Sequence, residues 1–298
     1  MIKTFKKASP RQWRCPHFAA KGGNKMTELI KCLKCPVCGE KLTLGNEGHS
    51  LLCRNIKKRH CFDLAKSGYV NFAGSSGGDP KEAVVSRRRF LTLGHYEPAA
   101  RRVSELLLKY ASGETVADTG CGEGYYGKII AEGGNPVIGF DLSKPAVEAA
   151  SKLKIPNAFF AVAGINAMPL ADASVGAVTN IFAPCFEEEF SRVLKENGVL
   201  ILVGAGPRHL MGLKKAIYDE TPLNTERADL PKNMKLIEKS RLSYEIELNS
   251  KEAINDLFSM TPYSYRTSRE SMQKLSALDT LRTEVEFDFY VYEKSIEN

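Results

Sequence analysis

Apolar and polar positions follow a regular alternation from residue 115 onward. Short apolar runs typical of buried strands alternate there with segments whose apolar residues recur at helical spacing. This alternation predicts a parallel sheet with helices on both faces. The predicted strands cover residues 115–118, 136–140, 158–162, 175–182 and 198–204, and the predicted helices between them cover 124–133, 143–153 and 185–195.

The pattern differs on both sides of this repeat. Before it, apolar spacing predicts a helix over 81–94, ended by a glycine, and a second helix over 97–111. After residue 205, the predicted elements are a helix at 208–220, a strand at 236–248, helices at 250–258 and 267–276, and a strand at 283–292. The last strand alternates with period two. The expected fold class is α/β, with a Rossmann-like domain at its centre.

The residues before 81 have another organisation. Cysteine and histidine are concentrated in residues 32–61, and the small, turn-forming residues 74–80 are typical of a linker. The first 25 residues resemble neither part, so they are expected to be a disordered tail or an over-long start, with a basic nucleic-acid arm as the alternative. The predicted domains are a basic tail at 1–25, a small domain at 26–75, a helical linker at 76–114 and the α/β domain at 115–298.

Charge is unevenly distributed along the chain, whose formal net charge is +7. Residues 1–25 hold seven Lys and Arg and no acidic residue, and residues 26–115 hold 15 basic and nine acidic residues. Residues 116–298 hold 20 basic and 26 acidic residues. A polyanionic partner is therefore expected to contact the N-terminal third of the protein.

The chain shows neither a membrane segment nor a secretory signal. No apolar run approaches the ~20 residues that span a bilayer, and the basic N-terminus lacks the apolar segment of a signal peptide. The expected location is cytoplasmic, where thiols stay reduced. The eight cysteines are therefore interpreted as metal ligands or packing residues before disulfides.

The most informative motif is a glycine-rich loop, Asp118-Thr-Gly120-Cys-Gly122-Glu-Gly124. It follows the first predicted strand of the α/β domain and opens a helix. Alternate glycines let the backbone turn sharply and approach a ligand closely, at the carboxyl end of a strand where open α/β sheets bind ligands. Asp141 ends the next predicted strand, where its carboxylate can accept the hydroxyls of a ribose.

The spacing of this loop discriminates between cofactors. A nicotinamide loop requires a third glycine where Tyr125 stands, and a phosphate-binding G-x-x-x-x-G-K-[ST] loop is absent. The carboxylate of Asp118 suits a ligand with an ammonium group, so the predicted cofactor is S-adenosylmethionine, which carries an ammonium and a sulfonium but no phosphate. Asn166 is predicted to border the adenine, the alternative being an ordinary loop residue. The predicted contacts are Asp118, Gly120, Cys121, Gly122, Glu123, Gly124, Asp141 and Asn166.

A zinc site is predicted in the small domain. The segment Cys35-Pro-Val-Cys38-Gly39 has the spacing of a zinc knuckle, in which two thiolates hold one tetrahedral metal from a tight turn. So small a domain has little core, and metal binding would supply much of its folding free energy. The predicted Zn²⁺ ligands are Cys35, Cys38, Cys53 and His60, with Cys61 and His49 as alternatives in the second half.

Six further motifs, one of which contains the glycine loop, come after the zinc knuckle in a fixed order within residues 30–298. They are His60-Cys-Phe-Asp-Leu-Ala-Lys-Ser-Gly-Tyr-Val-Asn71, Arg88-Arg-Phe-Leu, Gly94-His-Tyr96, the glycine loop through Tyr126, Ala183-Pro-Cys185 and Gly206-Pro-Arg-His-Leu-Met211. With the zinc knuckle, this set closely resembles the bacterial 23S ribosomal RNA guanine-N1 methyltransferases. The resemblance implies a class I methyltransferase domain behind a zinc-binding domain that recognises RNA.

The resemblance also implies a substrate and a site. The substrate would be a guanine in a 23S rRNA hairpin lining the peptide exit tunnel, held in the cleft of a homodimer, and some members of the family confer resistance to macrolides such as tylosin. Tyr96, the loop around Gly122 and Glu123, and His209 would contact the cofactor. One departure concerns the metal: six residues, 54–59, separate Cys53 from His60 where family members usually have three. This leaves the fourth ligand open between His60 and Cys61.

The chemistry leaves three functions to compare. Methylation at guanine N1 requires an unpaired or flipped base, because N1 lies on the Watson–Crick edge. Candidates to orient or deprotonate N1 are Asn180 and His209. Pro184-Cys185 follows the fourth predicted strand, where cytosine-C5 methyltransferases place a nucleophile, so that activity through Cys185 is the enzymatic alternative. A zinc-containing RNA-binding assembly factor with a vestigial methyltransferase domain is the non-enzymatic one.

Overall fold

The computed structural model describes residues 25–74, 77–265 and 267–294. The basic tail predicted at 1–25 thus lies, except for its last residue, outside the described residues. Within the described ranges the helices are α1 (Lys25–Lys31), α2 (Lys81–Thr92), α3 (Glu97–Tyr110), α4 (Tyr125–Glu132), α5 (Lys144–Lys152), α6 (Glu187–Val193), α7 (Met211–Ile217), α8 (Lys251–Ser259) and α9 (Arg269–Ser276). None of these helices is long and apolar enough to cross a membrane.

The strands of the same residues form two sheets. They are β1 (Leu42–Gly45), β2 (Ser50–Cys53), β3 (Cys61–Asp63), β4 (Val70–Asn71), β5 (Val116–Thr119), β6 (Val137–Asp141), β7 (Ala158–Val162), β8 (Val175–Ile181), β9 (Leu194–Ala205), β10 (Lys235–Leu248) and β11 (Leu281–Glu293). The larger sheet has the order β10-β11-β9-β8-β5-β6-β7-β4, and β1, β2 and β3 form a small antiparallel sheet.

The large sheet confirms the predicted parallel core and adds an antiparallel edge. Strands β4 to β9 pair in parallel, whereas β11 pairs antiparallel with β9, and β10 antiparallel with β11. The chain runs outward from β5 in one direction through β6 and in the other through β8. The carboxyl ends of β5 and β8 therefore form the switch point at which such sheets bind ligands.

Both faces of the sheet are covered, and alternate residues of the last strand enter different core layers. In β11, Phe287, Phe289 and Val291 pack into the core layer that contains α3 and α8. Tyr290 and Tyr292 point into the opposite layer. Full burial of each large side chain contributes about 1.5–3 kcal/mol, so the two faces of β11 stabilise both layers at once.

Serine residues determine where several helices begin. The hydroxyl oxygen of Ser143 accepts a hydrogen bond from the backbone N–H of Ala146, and Pro145 stands in the first turn of α5. Ser250 and Ser268 cap α8 and α9 in the same way. The start of α5 is thereby fixed three residues beyond Asp141, which itself binds the glycine loop.

The small N-terminal unit is packed onto the large sheet. Apolar residues in and just after α1 share a core layer with the large domain; they are Leu29, Ile30 and Leu33. Their partners in that layer include Leu170, in the connection from β7 to β8, and Val175, the first residue of β8. β4 pairs in parallel with β7 at the edge of the large sheet. The chain has therefore already joined the large sheet before the domain boundary predicted after residue 75. Strand β4 was not predicted because two residues are too few to show a periodicity.

Some predicted boundaries were wrong. The helix placed at 208–220 is α7, which begins only at Met211 because Leu210 has a left-handed backbone with φ of 60°. The helix predicted at 185–195 is α6, which ends at Val193. Strand β9 begins at Leu194, four residues before the predicted strand start at 198. In both places an apolar run continues across a change of backbone conformation, which hydrophobic spacing does not reveal.

Candidate cofactor cleft and metal site

The glycine loop lies tightly packed between β5 and α4. Gly120, Gly122 and Gly124 have φ values of 73°, 53° and 82°, a left-handed region that side chains rarely adopt. A Cβ on Gly124 would lie 2.9 Å from the Cβ of Ala150 in α5, and one on Gly120 would lie 2.9 Å from that of Ala183. The loop thus needs glycine both for its conformation and for the approach of neighbouring elements.

Two carboxylates in this loop are buried and only partly hydrogen-bonded. One oxygen of Asp118 accepts a hydrogen bond of 2.9 Å from the Thr179 hydroxyl, and Glu123 Oε2 accepts one of 2.8 Å from Arg87. The second oxygen of each has no hydrogen-bond partner among the described residues. Burial raises the pKa of Asp118 to about 6, and the nearby charge of Asp141 adds to this. A positively charged ligand would therefore be stabilised here.

Asp141 closes the loop from the neighbouring strand. Its two oxygens accept backbone hydrogen bonds from Gly122, at 3.0 Å, and from Ser143, at 2.8 Å. Burial raises its pKa although these hydrogen bonds oppose the shift. Each oxygen keeps a second lone pair, so a contact with a ribose stays a prediction.

Arg87 in α2 is a cleft residue that sequence analysis missed. Its guanidinium binds Glu123 and also Asp79, at 2.5 Å, and it lies 3.2 Å from where a Cβ of Gly122 would be. These two carboxylates raise the pKa of Arg87 against the opposing effect of burial. Arg87 thus ties the helical linker to the glycine loop. Because 36 residues separate it from Glu123, no local motif indicates the contact.

Tyr96 and His209 are both buried and contact each other. The Tyr96 oxygen lies 3.3 Å from His209 Nε2, and His209 Nδ1 accepts a hydrogen bond from the backbone N–H of Glu286. This pattern assigns the ring proton to Nε2, which donates to Tyr96. Burial lowers the pKa of His209 to about 4. The imidazole is therefore neutral at pH 7 and has both ring nitrogens in hydrogen bonds, to Tyr96 and to the Glu286 backbone. This arrangement argues against its candidate role as general base.

Asn180, the other catalytic candidate, is fully buried, and both ends of its side-chain amide form hydrogen bonds. Its amide N–H groups donate to Thr119 and to the Pro184 carbonyl, and its oxygen accepts from Arg227. Arg227 also donates to the Ala183 carbonyl. Asn180 therefore holds the turn after β8 together, and its candidate role in orienting or deprotonating guanine N1 stays a prediction.

The remaining predicted contacts have different surroundings. The Cys121 side chain is buried and packs against Phe160 in a small core cluster, so only its backbone can face a ligand. Asn166 is exposed on the loop after β7, where it lines a depression with Phe186 and acidic residues of α6. Burial raises the pKa of Cys185 to about 11, and the charges of Asp229 and Glu187 contribute. A thiol in this state is a poor nucleophile.

The four predicted metal ligands converge at one end of the small sheet. Their ligand atoms all lie within 4.8 Å of one another. His60 Nδ1 lies 3.5 Å from the Sγ atoms of both Cys35 and Cys53, and the Sγ atoms of Cys38 and Cys53 are 4.0 Å apart. A tetrahedral Zn²⁺ with bonds of about 2.3 Å to sulfur and 2.0 Å to nitrogen needs separations of roughly 3.5 and 3.8 Å. The donor set and its spacing therefore fit zinc.

The inserted residues 54–59 leave this geometry intact. The side-chain oxygen of Asn55 accepts hydrogen bonds from the backbone N–H groups of Lys57 and Lys58, which closes the insertion into a turn. The Cys53 N–H then donates to the His60 carbonyl. The rival ligands stay outside the group: Cys61 is exposed, with its Sγ near Asp63, and His49 is not part of it.

Comparisons with known proteins agree with both sites. Residues 33–73 match a family described as "RlmA, N-terminal", and residues 117–202 match a methyltransferase domain. Together with the four-ligand cluster, these matches show a class I methyltransferase that uses S-adenosylmethionine and has an N-terminal zinc-ribbon domain. The buried, partly unpaired carboxylates of the glycine loop fit a cofactor with two positive charges.

The relatives extend over most of the chain. A Micromonospora griseorubida protein, provisionally named 23S rRNA (guanine-N(1)-)-methyltransferase, is 30% identical over 265 residues, 80% of this chain and 89% of its own length. A Bacillus subtilis (strain 168) protein with the same provisional name is 30% identical over 288 residues, 90% and 99% of the two chains. The 23S rRNA (guanine(748)-N(1))-methyltransferase of Streptomyces fradiae is 31% identical over 198 residues, which cover 63% of this chain and 69% of that protein. The chain therefore belongs to the family of bacterial 23S rRNA (guanine-N1)-methyltransferases.

Proposed function

We propose that this protein transfers a methyl group from S-adenosylmethionine to N1 of a guanine in a 23S rRNA hairpin. The glycine loop carries the proposal through its charge: Asp118 and Glu123 are buried with one unpaired oxygen each among the described residues, and Asp141 accepts a hydrogen bond from Gly122. Arg87 balances part of this negative charge through Glu123. Such a loop favours a cationic methyl donor and disfavours phosphate-bearing cofactors. The family supplies the ribosomal guanine as the acceptor.

The residues of the cleft act by positioning. The cofactor supplies a methyl group on a sulfonium, and in-line transfer depends on holding the two reactants aligned. The backbone of Gly120 and Gly122 would hold the donor, Asp118 would balance its positive charge, and the Tyr96–His209 pair would line the site with a fixed hydrogen bond. The neutral state of His209 keeps a second positive charge away from the sulfonium.

A basic surface beside the cleft supports an RNA substrate. Along α5 and the edge strand β4, a depression of about 450 Å³ is lined by four lysines and a single glutamate, Glu148. Such an excess of ammonium groups attracts the phosphate backbone. The lysines are Lys66, Lys144, Lys152 and Lys154. We also propose the homodimer implied by the family, which analytical ultracentrifugation would test.

The proposed product can be detected directly. A methyl group on N1 blocks base pairing, so reverse transcriptase should stop one nucleotide before the modified guanine. Primer extension on 23S rRNA from a deletion strain should lose one stop that is present in the wild type, and purified enzyme with S-adenosylmethionine should restore it. Identical stops in both strains would contradict guanine-N1 methylation. Failure to bind S-adenosylmethionine in calorimetry would instead favour the vestigial assembly factor.

Replacing Cys185 with serine is expected to leave methylation within about twofold of wild type, because the pKa of this thiol is raised to about 11 and no thiolate is available. Incorporation of tritiated methyl groups into an unmodified 23S rRNA transcript measures this. A cytosine-C5 enzyme would lose activity completely on the same change, since its nucleophile would be missing. Mass analysis of digested RNA would show whether the methyl group resides on guanine or cytosine.

The affinity for S-adenosylmethionine is expected to fall with acidification near pH 6. Asp118 has a pKa raised to about 6, so its carboxylate is ionised above this pH and becomes neutral below it. If the ionised form is required, calorimetric affinity should fall about tenfold between pH 7 and pH 5. Asp118→Asn should bind weakly with little pH dependence over the same range. An unchanged wild-type affinity at pH 5 would contradict a role for this charge.

A further inference from the structure

Phe182 is an exposed aromatic residue in a backbone conformation that bulky side chains rarely adopt. It directly follows β8, has a φ of 54°, and is 47% exposed. The left-handed region brings Cβ too close to the carbonyl oxygen, which penalises every residue except glycine. Strained residues of this kind cluster at ligand sites, where the surrounding structure holds them in place.

The contacts of Phe182 show what holds it. Its N–H donates to the Val203 carbonyl at 3.0 Å, and its ring centroid lies 5.6 Å from that of His209 and 5.9 Å from that of Phe287. The next residue, Ala183, packs against Gly120 of the cofactor loop. The exposed part of the ring therefore lies at the carboxyl ends of the central strands, beside the loop that receives the methyl donor.

We propose that the Phe182 ring forms the floor of a subsite for the target base, on which the flipped guanine stacks during methyl transfer. This subsite rests on the proposed function. A guanine can present N1 only after leaving its own stack and pairing partner, and an aromatic ring restores part of the lost stacking. A phenyl ring carries no polar group, so it fixes the plane of the base without competing for its Watson–Crick edge.

A second exposed aromatic residue nearby lacks these features. Phe186 is 38% exposed, but its ring packs edge-on against Phe190 at 6.5 Å. It also lines the depression next to Glu187, Glu188 and Glu189, whose charges repel a phosphate backbone. Phe186 is therefore a matched control, an aromatic residue of similar exposure four positions along the chain that packs against Phe190 instead of His209.

The decisive variant is Phe182→Gly, which removes the ring and also relieves the left-handed backbone. Its kcat/KM on an unmodified 23S rRNA transcript is expected to fall about 10- to 100-fold, the range of base–aromatic stacking. The S-adenosylmethionine Kd should stay unchanged and the Tm should be no lower than wild type. Phe182→Tyr should retain most activity, Phe182→Leu should lose it with the fold intact, and Phe186→Ala should match wild type.

Three results would overturn the subsite. They are a wild-type kcat/KM in Phe182→Gly, a loss of S-adenosylmethionine affinity that accounts for the loss of rate, and activity in Phe182→Leu equal to that in Phe182→Tyr. Each of these is read against a wild-type enzyme that methylates the transcript. A wild-type enzyme that binds S-adenosylmethionine but leaves the transcript unmethylated would contradict the proposed function itself, which keeps the two failures distinct.

Discussion

Cys53→Ala is expected to release the zinc ion and unfold the small sheet of β1, β2 and β3. Cys53 Sγ lies 3.5 Å from His60 Nδ1 and 4.0 Å from Cys38 Sγ in the proposed ligand group, and its backbone pairs with both His60 and the neighbouring strand. Structural zinc supplies about 10–16 kcal/mol of binding free energy to such units, as much as the whole stability of a typical domain. Elemental analysis should fall from one zinc per chain to nearly none, and the Tm should fall with it.

Cys61→Ala is the matched control for this prediction. Cys61 is exposed, outside the ligand group, and only eight positions away along the chain. The variant should retain one zinc and a stability within about 0.5 kcal/mol of wild type. The opposite outcome, with zinc lost from Cys61→Ala and kept in Cys53→Ala, would mean that the ligand set is wrong.

The loss of zinc should also reach the catalytic domain. Leu51 of β2 and Leu33 after α1 are fully buried in the core layer that holds Phe140 of the large sheet. Unfolding of the small sheet exposes this layer, at about 25 cal/mol per Å² of apolar surface. The Tm measured through the catalytic domain should therefore also fall in Cys53→Ala.

The features that the sequence predicted well are local ones. The ligands Cys35 and Cys38 are separated by two residues, and the loop from Asp118 to Gly124 is contiguous, so type and spacing identify both. The strands of the parallel core are buried on both faces and therefore appear as continuous apolar runs, such as β7, whose last four residues are buried.

The features that it missed depend on distant contacts. Arg87 meets Glu123 only because α2 folds across the glycine loop. The basic surface combines Lys66 with lysines in and just after α5. Those lysines belong to a segment with a net negative charge, so counting charge along the chain directed the predicted polyanion contact to the N-terminal third alone. The exposure and left-handed backbone of Phe182 follow from tertiary packing, and no periodicity encodes them.

Both catalytic candidates illustrate the same limit. Asn180 and His209 are residue types that can act on a guanine, and they do lie at the carboxyl ends of the strands near the cofactor loop. Their hydrogen bonds are nevertheless taken up by Arg227 and the Pro184 carbonyl in one case, and by Tyr96 and the Glu286 backbone in the other. Residue type indicates which chemistry is available, whereas the bonding partners determine whether a group is free to perform it.

Gly124→Val is expected to weaken S-adenosylmethionine binding about 100-fold or more, equivalent to ~3 kcal/mol. At a φ of 82° a β-branched residue is strained by about 1–3 kcal/mol. Its Cβ would also lie 2.9 Å from the Cβ and 3.2 Å from the Cα of Ala150. Because the second contact is with backbone, α5 must move, and Asp141 beside its first turn moves with it. Calorimetry with S-adenosylmethionine measures the loss.

Gly113→Val separates this geometric effect from simple backbone strain. Gly113 has a nearly equal φ of 75°, but nothing lies within 4 Å of its Cβ position in the exposed turn before β5. Both variants therefore carry the conformational penalty, and only Gly124→Val displaces the cofactor cleft. We expect the two variants to lose similar amounts of Tm while Gly113→Val keeps the wild-type affinity for S-adenosylmethionine. This result would assign the binding defect of Gly124→Val to the packing of the loop against α5. Equal affinity in the two variants would show instead that the glycine loop does not hold the cofactor.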